Sequence, residues 1–130
     1  MIEQTELVVT EWKYNPPANP PEEGTTITKF IDFDVMRKRV STKKGIACRF
    51  SCRFDAGNET ILYYVGEDSY VIDLQDYIDL QELQTMIRNS YSKFTDKFEF
   101  NKLSTVLNNI SLPPLDESLI DFDSILPLLV

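Results

Sequence analysis

Residues 46–55 constrain this chain more than any other stretch. Ile46, Cys48, Phe50, Cys52 and Phe54 alternate with Ala47, Arg49, Ser51, Arg53 and Asp55. A period of two over ten residues fits a strand with one buried and one wetter face, because successive side chains point to opposite sides of a sheet. Asp55, Ala56, Gly57 and Asn58 carry turn chemistry, and residues 60–65 resume as the partner strand of a hairpin, extended past Gly66 through Tyr70, Val71, Ile72, Asp73 and Leu74. Upstream, Val8, Val9, Trp12 and Tyr14 belong to a β-branched and aromatic run that stops at Asn15, Pro16, Pro17, Ala18, Asn19, Pro20 and Pro21. Prolines fix φ and remove backbone donors, so this cluster is a connection between strands. A further strand runs over 26–39, with Ile27, Ile31, Phe33 and Val35 on one face. Arg37, Lys38, Arg39, Lys43 and Lys44 then lead to Gly45 and read as a hairpin connection, a solvated loop or charges that protect a strand end.

From Asp79 the period changes. Leu80, Leu83, Ile87, Tyr91, Phe94 and Phe98 recur at three and four residues, the spacing of an amphipathic helix. A break is possible near residues 98–101, but Leu103, Val106, Leu107 and Ile110 keep the spacing until Pro113 and Pro114. The expected elements are strands at 6–14, 26–39, 46–55 and 60–74, and helices at 79–110 and 121–128, in one domain of residues 1–130. Strands first and helices last give an α+β fold, a four-stranded antiparallel sheet with a long helix and a short C-terminal helix on one face.

Composition narrows the chemistry. The 130 residues carry a net charge of −8 and no histidine. The acidic field repels nucleic acid, and the commonest general base and transition-metal ligand is missing. No nucleophile–base constellation stands out, so the chain reads as a non-enzyme that needs no cofactor. Cys48 and Cys52 lie on a strand, where four residues span about 13 Å, beyond the roughly 7 Å limit for a disulfide. They read as core thiols. The acidic start, Met1 to Glu6, lacks the basic and apolar regions of a signal peptide. No apolar run approaches the roughly 20 residues of a membrane span. The expected location is cytoplasmic, with no membrane partner.

Two groups stand out as candidate binding residues. Trp12 and Tyr14 flank the proline connection, and Phe122, Ile125, Leu126, Leu128 and Leu129 make the terminal segment densely apolar. Each group has a plain alternative as core. A terminus this apolar is costly in water and needs a partner surface. Asp121 and Asp123 read as helix caps, since no calcium-loop glycine or glutamate accompanies them.

Residues 112–126, with Pro113, Leu115, Phe122 and Asp123 at the distinctive positions, and residues 14–20, an aromatic followed by prolines, carry a resemblance to a known family. In these stretches and in element order the chain resembles SecB, the bacterial protein-export chaperones. It departs from the family at Leu119, where a second proline is usual, and in its shorter connection. It also ends at Val130 without the basic or Cys/His tail that docks the translocase motor in export versions. The resemblance implies a holder of unfolded polypeptides in an apolar groove between the proline connection and the last helix, working without ATP. It implies a homo-oligomer, either a tetramer built as a dimer of dimers or a dimer. The clients it implies are pre-export polypeptides passed to an export motor, or one dedicated client such as a toxin–antitoxin partner. The competing expectation is a non-enzymatic phage or accessory assembly protein that uses the same fold to oligomerise.

Overall fold

The computed structural model describes residues 2–4, 7–16, 27–40, 43–73, 78–105, 107 and 109–129; the side chains of residues 2–4, 36–40, 43, 44, 119, 128 and 129 are outside the description. The chain forms β1 (Ile2–Gln4), β2 (Val8–Tyr14), β3 (Ile27–Val40), β4 (Lys43–Ala56), β5 (Glu59–Ile72), α1 (Leu80–Asn101) and α2 (Phe122–Ile125). All pairings are antiparallel, in the order β1–β5–β4–β3. β2 also pairs with β5, and β1 and β2 together fill one strand position along it. The sheet therefore has four strand positions, with α1 and α2 as its long and short helices.

Most expected boundaries hold to within three residues. β4 and β5 are a tight hairpin in which Ala56 faces Glu59 and Gly57 takes φ 62°, the left-handed region that a two-residue turn requires at its first position. β5 runs unbroken through Gly66. An alanine Cβ there would stand 2.7 Å from Phe94 Cδ2, so α1 approaches the sheet as closely as glycine permits. Three expectations about the strands and the long helix are corrected. The basic residues 37–39, 43 and 44 belong to β3 and β4 rather than to the connection, because the strands pair as far as Val40 opposite Lys43. The chain also begins with an additional short strand, β1.

The third correction concerns the long helix. α1 begins as expected, with Asp79 accepting a hydrogen bond from the Glu82 amide at 2.7 Å. It ends at Asn101 instead of 110. Residues Lys102–Ser104 form one 3₁₀ turn and Thr105 is extended. The Thr105 hydroxyl donates to the Lys102 carbonyl at 2.8 Å and accepts from the Leu107 amide at 3.1 Å, offering the backbone a local alternative to further helical bonds. Lys102 is itself buried, and its ammonium donates to the Ile110 carbonyl at 2.8 Å and pairs with Glu99, which folds the chain back over the helix end.

An aromatic band fills the space between helix and sheet. Phe33 meets Phe50 at 5.0 Å between centroids, and Phe50 meets Phe94 at 5.4 Å. Phe94 meets Tyr64 at 5.4 Å, and Tyr64 meets Trp12 at 5.2 Å. The band thus runs from β3 on one edge to β2 on the other. Cys48 and Cys52 lie within this core, and burial pushes both thiols up to about 12. Tyr70 on β5 reaches α1, donating to the Met86 carbonyl at 2.8 Å, with its oxygen against the Ser90 hydroxyl. Ser90 in turn donates to the fully buried Asp68 at 2.8 Å. The opposite sheet face carries Asp32, Asp34, Arg49, Ser51, Arg53 and Tyr63 at alternate positions. Among the described residues no helix is long and apolar enough to cross a membrane.

Candidate functional site

β3 is an edge strand. It pairs with β4 along its whole length, and no described residue pairs with its outer side. Beside that open side runs the segment 110–120, held at four points. Lys102 donates to the Ile110 carbonyl, Lys29 to the Ser111 carbonyl at 3.3 Å, and Tyr91 to the Pro113 carbonyl. Arg88 grips Glu117 with two parallel hydrogen bonds, the Nη2–Oε2 contact at 2.9 Å. The guanidinium holds the Glu117 carboxyl below its usual range. Burial pushes the Tyr91 hydroxyl above its usual range, keeping it protonated and able to donate.

A cavity of about 310 Å³ lies between the segment and the strand. Ile31 and Phe33 of β3, Tyr91 of α1, and Pro113, Leu115 and Ile120 supply an apolar lining, with Asp32, Pro114 and Asp116 around it. Pro113 and Pro114 have no amide hydrogen, so this stretch of the wall cannot donate to the strand beside it. On the other sheet face a hollow of about 210 Å³ reaches the same edge, lined by Asp32, Phe33, Asp34, Arg49, Ser51 and Tyr63. The arrangement can accept apolar side chains on one side of β3, polar or charged ones on the other, and a backbone along the edge.

The residues expected to bind are distributed differently. Trp12 and Tyr14 are half-buried on β2, opposite Tyr64 and Leu62 of β5, with β5 and β4 between them and β3. Trp12 meets Tyr64 edge to face, which ties it to the aromatic core. Phe122, Ile125 and Leu126 are half-buried and pack against the core cluster from the end of the chain. None of these five lines the cavity beside β3. The side chains of Leu128 and Leu129 lie outside the described residues, as does most of the proline connection. Asp121 caps α2 as expected, accepting from the Ser124 amide at 3.2 Å. The last helix is a single α-turn over Phe122–Ile125 followed by a 3₁₀ turn over Leu126–Leu129, where a continuous helix at 121–128 was expected.

Sequence reasoning placed Ile31 and Phe33 on one face and singled out Pro113 and Leu115, yet did not join them. Pairing order makes β3 an edge, and contacts to Lys102, Tyr91 and Arg88 bring the segment beside it. The signal available in the sequence was the paired prolines, which exclude a wall stretch from sheet pairing.

No protein-family model matches the sequence, and no curated protein matches it. Among solved structures, the chain is similar to the Mycobacterium tuberculosis SecB-like chaperone Rv1957, in complex with a ChAD peptide from the Rv1956 HigA1 antitoxin. The TM-score is 0.59 at 14% identity, over 88% of this chain and 90% of that one. A looser likeness, TM-score 0.42 at 9% identity over 89% and 97% of the two chains, is to a Streptococcus agalactiae protein of unknown function. At 14% identity the first likeness is one of fold: four antiparallel strand positions, a long helix and a short terminal one, as in a SecB-like chaperone.

Proposed function

We propose that this chain is a SecB-like chaperone that holds unfolded or pre-export polypeptides without ATP and without catalysis, as a cytoplasmic homo-oligomer of a single 1–130 domain. The observation that carries the reading is the apolar cavity along an open sheet edge, bounded by Ile31, Phe33, Leu115 and Ile120. An extended client has both apolar side chains and unpaired backbone groups to satisfy, and an edge strand beside an apolar groove meets both needs. The fold likeness to a chaperone in complex with a peptide supports the reading. Phe122, Ile125, Leu126, Leu128 and Leu129 continue the chain beyond Ile120 and are proposed to extend the client surface. Trp12 and Tyr14 are proposed to take part from the β2 side.

The test is light scattering from an aggregating client, without nucleotide, for the wild type and for Leu115→Asp and Phe122→Asp, with circular-dichroism melts alongside. The wild type is expected to suppress aggregation. Both variants should do so less well while melting near the wild-type temperature, because a carboxylate in an apolar site costs an incoming apolar group about 2 kcal/mol or more. Failure of the wild type across several basic, aromatic-rich clients would sink the reading.

A second reading, an oligomeric assembly protein, is favoured by one feature. Phe100 and Leu103, at the end of α1, are 76% and 66% exposed, and Phe100 borders a hollow of about 500 Å³ with Leu7. Size exclusion with light scattering should give a multiple of 15.1 kDa under either reading. Assembly without client holding would favour the second.

A further inference from the structure

We infer that the buried pair Asp68 and Ser90 is a register device: it selects one seating of α1 on the sheet among those that the helix's apolar stripe would accept. The inference does not depend on what the groove holds.

The apolar stripe leaves the seating open. Leu83, Ile87, Tyr91, Phe94 and Phe98 are buried on α1 at spacings of three and four residues. A slide of four residues is about 6 Å along the axis. It would put Ile87 in the place of Leu83, Tyr91 in that of Ile87, and Phe98 in that of Phe94. A phenylalanine ring would still cover Gly66, as Phe94 does now. Hydrophobic burial is non-directional, so the area removed from water does not tell the two seatings apart. Lys93 brings its ammonium to 3.6 Å from Asp68, but Lys97 would take its place after the slide. Tyr70 donates to the Met86 carbonyl, and the slide would offer it the Ser90 carbonyl instead. Asn101 donates to the Tyr64 hydroxyl at 2.9 Å, a half-buried contact in which water can replace either partner.

Ser90 is what differs. Among the described residues it is the one buried position of α1 without an apolar or aromatic body. Its hydroxyl donates at 2.8 Å to Asp68, which is fully buried on β5 opposite Cys48 of β4. After the slide Phe94 would stand there, and its ring has no donor for the carboxylate. A slide the other way would bring Met86, which has none either, and would also move the ring off Gly66. Burying a carboxylate without its hydrogen bond is costly, so only the observed seating satisfies Asp68. A single polar residue in an apolar seam fixes register in coiled coils by the same logic. The consequence reaches the groove wall. In the slid seating Ser92 and Thr95 would replace Arg88 and Tyr91, and neither could hold Glu117 and Pro113 as those two do.

The test measures the seating directly, by electron–electron distance spectroscopy between spin labels on the full chain. One label is placed at Asn89→Cys on the exposed face of α1, the other at Val8→Cys or Lys13→Cys, at opposite ends of β2. The native Cys48 and Cys52 are buried, so the reagent labels the introduced thiols. The wild type should give one narrow distance for each pair. Asp68→Val with Ser90→Ala removes the polar pair at similar volume. It should melt cooperatively by circular dichroism yet show two distances, or one displaced by several ångströms, in at least one label pair. Ser90→Phe with Phe94→Ser keeps the composition and moves the hydroxyl one turn along. It should draw α1 about 6 Å toward the seating in which residue 94 meets Asp68, residue 98 covers Gly66 and Lys97 replaces Lys93.

Wild-type distances in the folded apolar variant would overturn the inference, as would wild-type distances in the exchanged one. Loss of cooperative folding in the apolar variant would overturn it too, since the pair would then be needed for stability and not for the choice of seating. The decision rests on the apolar variant whether or not the exchanged one folds.

Discussion

Gly66→Ala is expected to destabilise the fold by about 1–2 kcal/mol, through the contact between β5 and α1. The added Cβ would stand 2.7 Å from Phe94 Cδ2 and 3.2 Å from both Phe94 Cε2 and Leu7 Cδ2. The Phe94 ring has little freedom to retreat, since it is fully buried and packs against Phe50 and Tyr64, each at 5.4 Å between centroids. Overpacking of this kind costs about 1–3 kcal/mol. Replacing glycine also narrows the unfolded ensemble, which returns about 0.4–1 kcal/mol and gives the net figure. The assay is urea unfolding followed by circular dichroism, with a shift in midpoint at unchanged slope. Gly66→Ala combined with Phe94→Leu should be less destabilised than the sum of the single variants, because the smaller side chain makes room for the methyl group. Unchanged stability of Gly66→Ala, or strict additivity in the double variant, would refute the argument that glycine is present to admit the ring.

Tyr70→Phe removes the donor to the Met86 carbonyl and the Ser90 contact, and should cost about 1–2 kcal/mol in the same unfolding assay; a neutral result would mean water replaces both. Cys48 and Cys52, buried with thiols pushed up to about 12, should resist a disulfide reagent at mildly alkaline pH in the native protein and react once urea is added; rapid native reaction would place them at an accessible site. Glu117 is held below its ordinary range by Arg88, so the pair stabilises the fold above the unfolded carboxylate value and loses that contribution as pH falls through the lower folded value. The melting-temperature gap between wild type and Arg88→Gln should accordingly be present at neutral pH and close in acid; a gap that persists at low pH would assign Arg88 a different role.

The strands and the inner face of the sheet were legible because alternation is a local signal. Ile46, Cys48, Phe50, Cys52 and Phe54 are all buried as their spacing implied, and the turn at Gly57 has the left-handed backbone its sequence suggested. The end of α1 was misread because Leu103, Val106, Leu107 and Ile110 keep a helical spacing that ordinary propensity has no reason to interrupt. What interrupts it is a hydroxyl, Thr105, and a buried ammonium, Lys102, with carbonyl partners on a returning chain. The groove was illegible for a related reason. Tyr91 lies 22 residues from Pro113, and Arg88 lies 29 from Glu117, so periodicity within either segment does not announce the contact. Nor does a strand's own pattern say whether it lies at the edge of a sheet or inside it.

The open side of β3 poses a problem that the charge pattern addresses. A 14-residue strand edge that no described residue pairs with is a template for joining copies of the same chain, and proteins commonly blunt such edges with charge. Asp32 and Asp34 do this here on the outer face, where two copies brought edge to edge would set carboxylate near carboxylate. Covering the edge completely would protect it as well but would leave nothing for a client to pair with. Replacing both with asparagine should therefore increase self-association, measured by light scattering at rising protein concentration. Unchanged self-association would mean that the segment at 113–116 shields the edge from other copies by bulk alone.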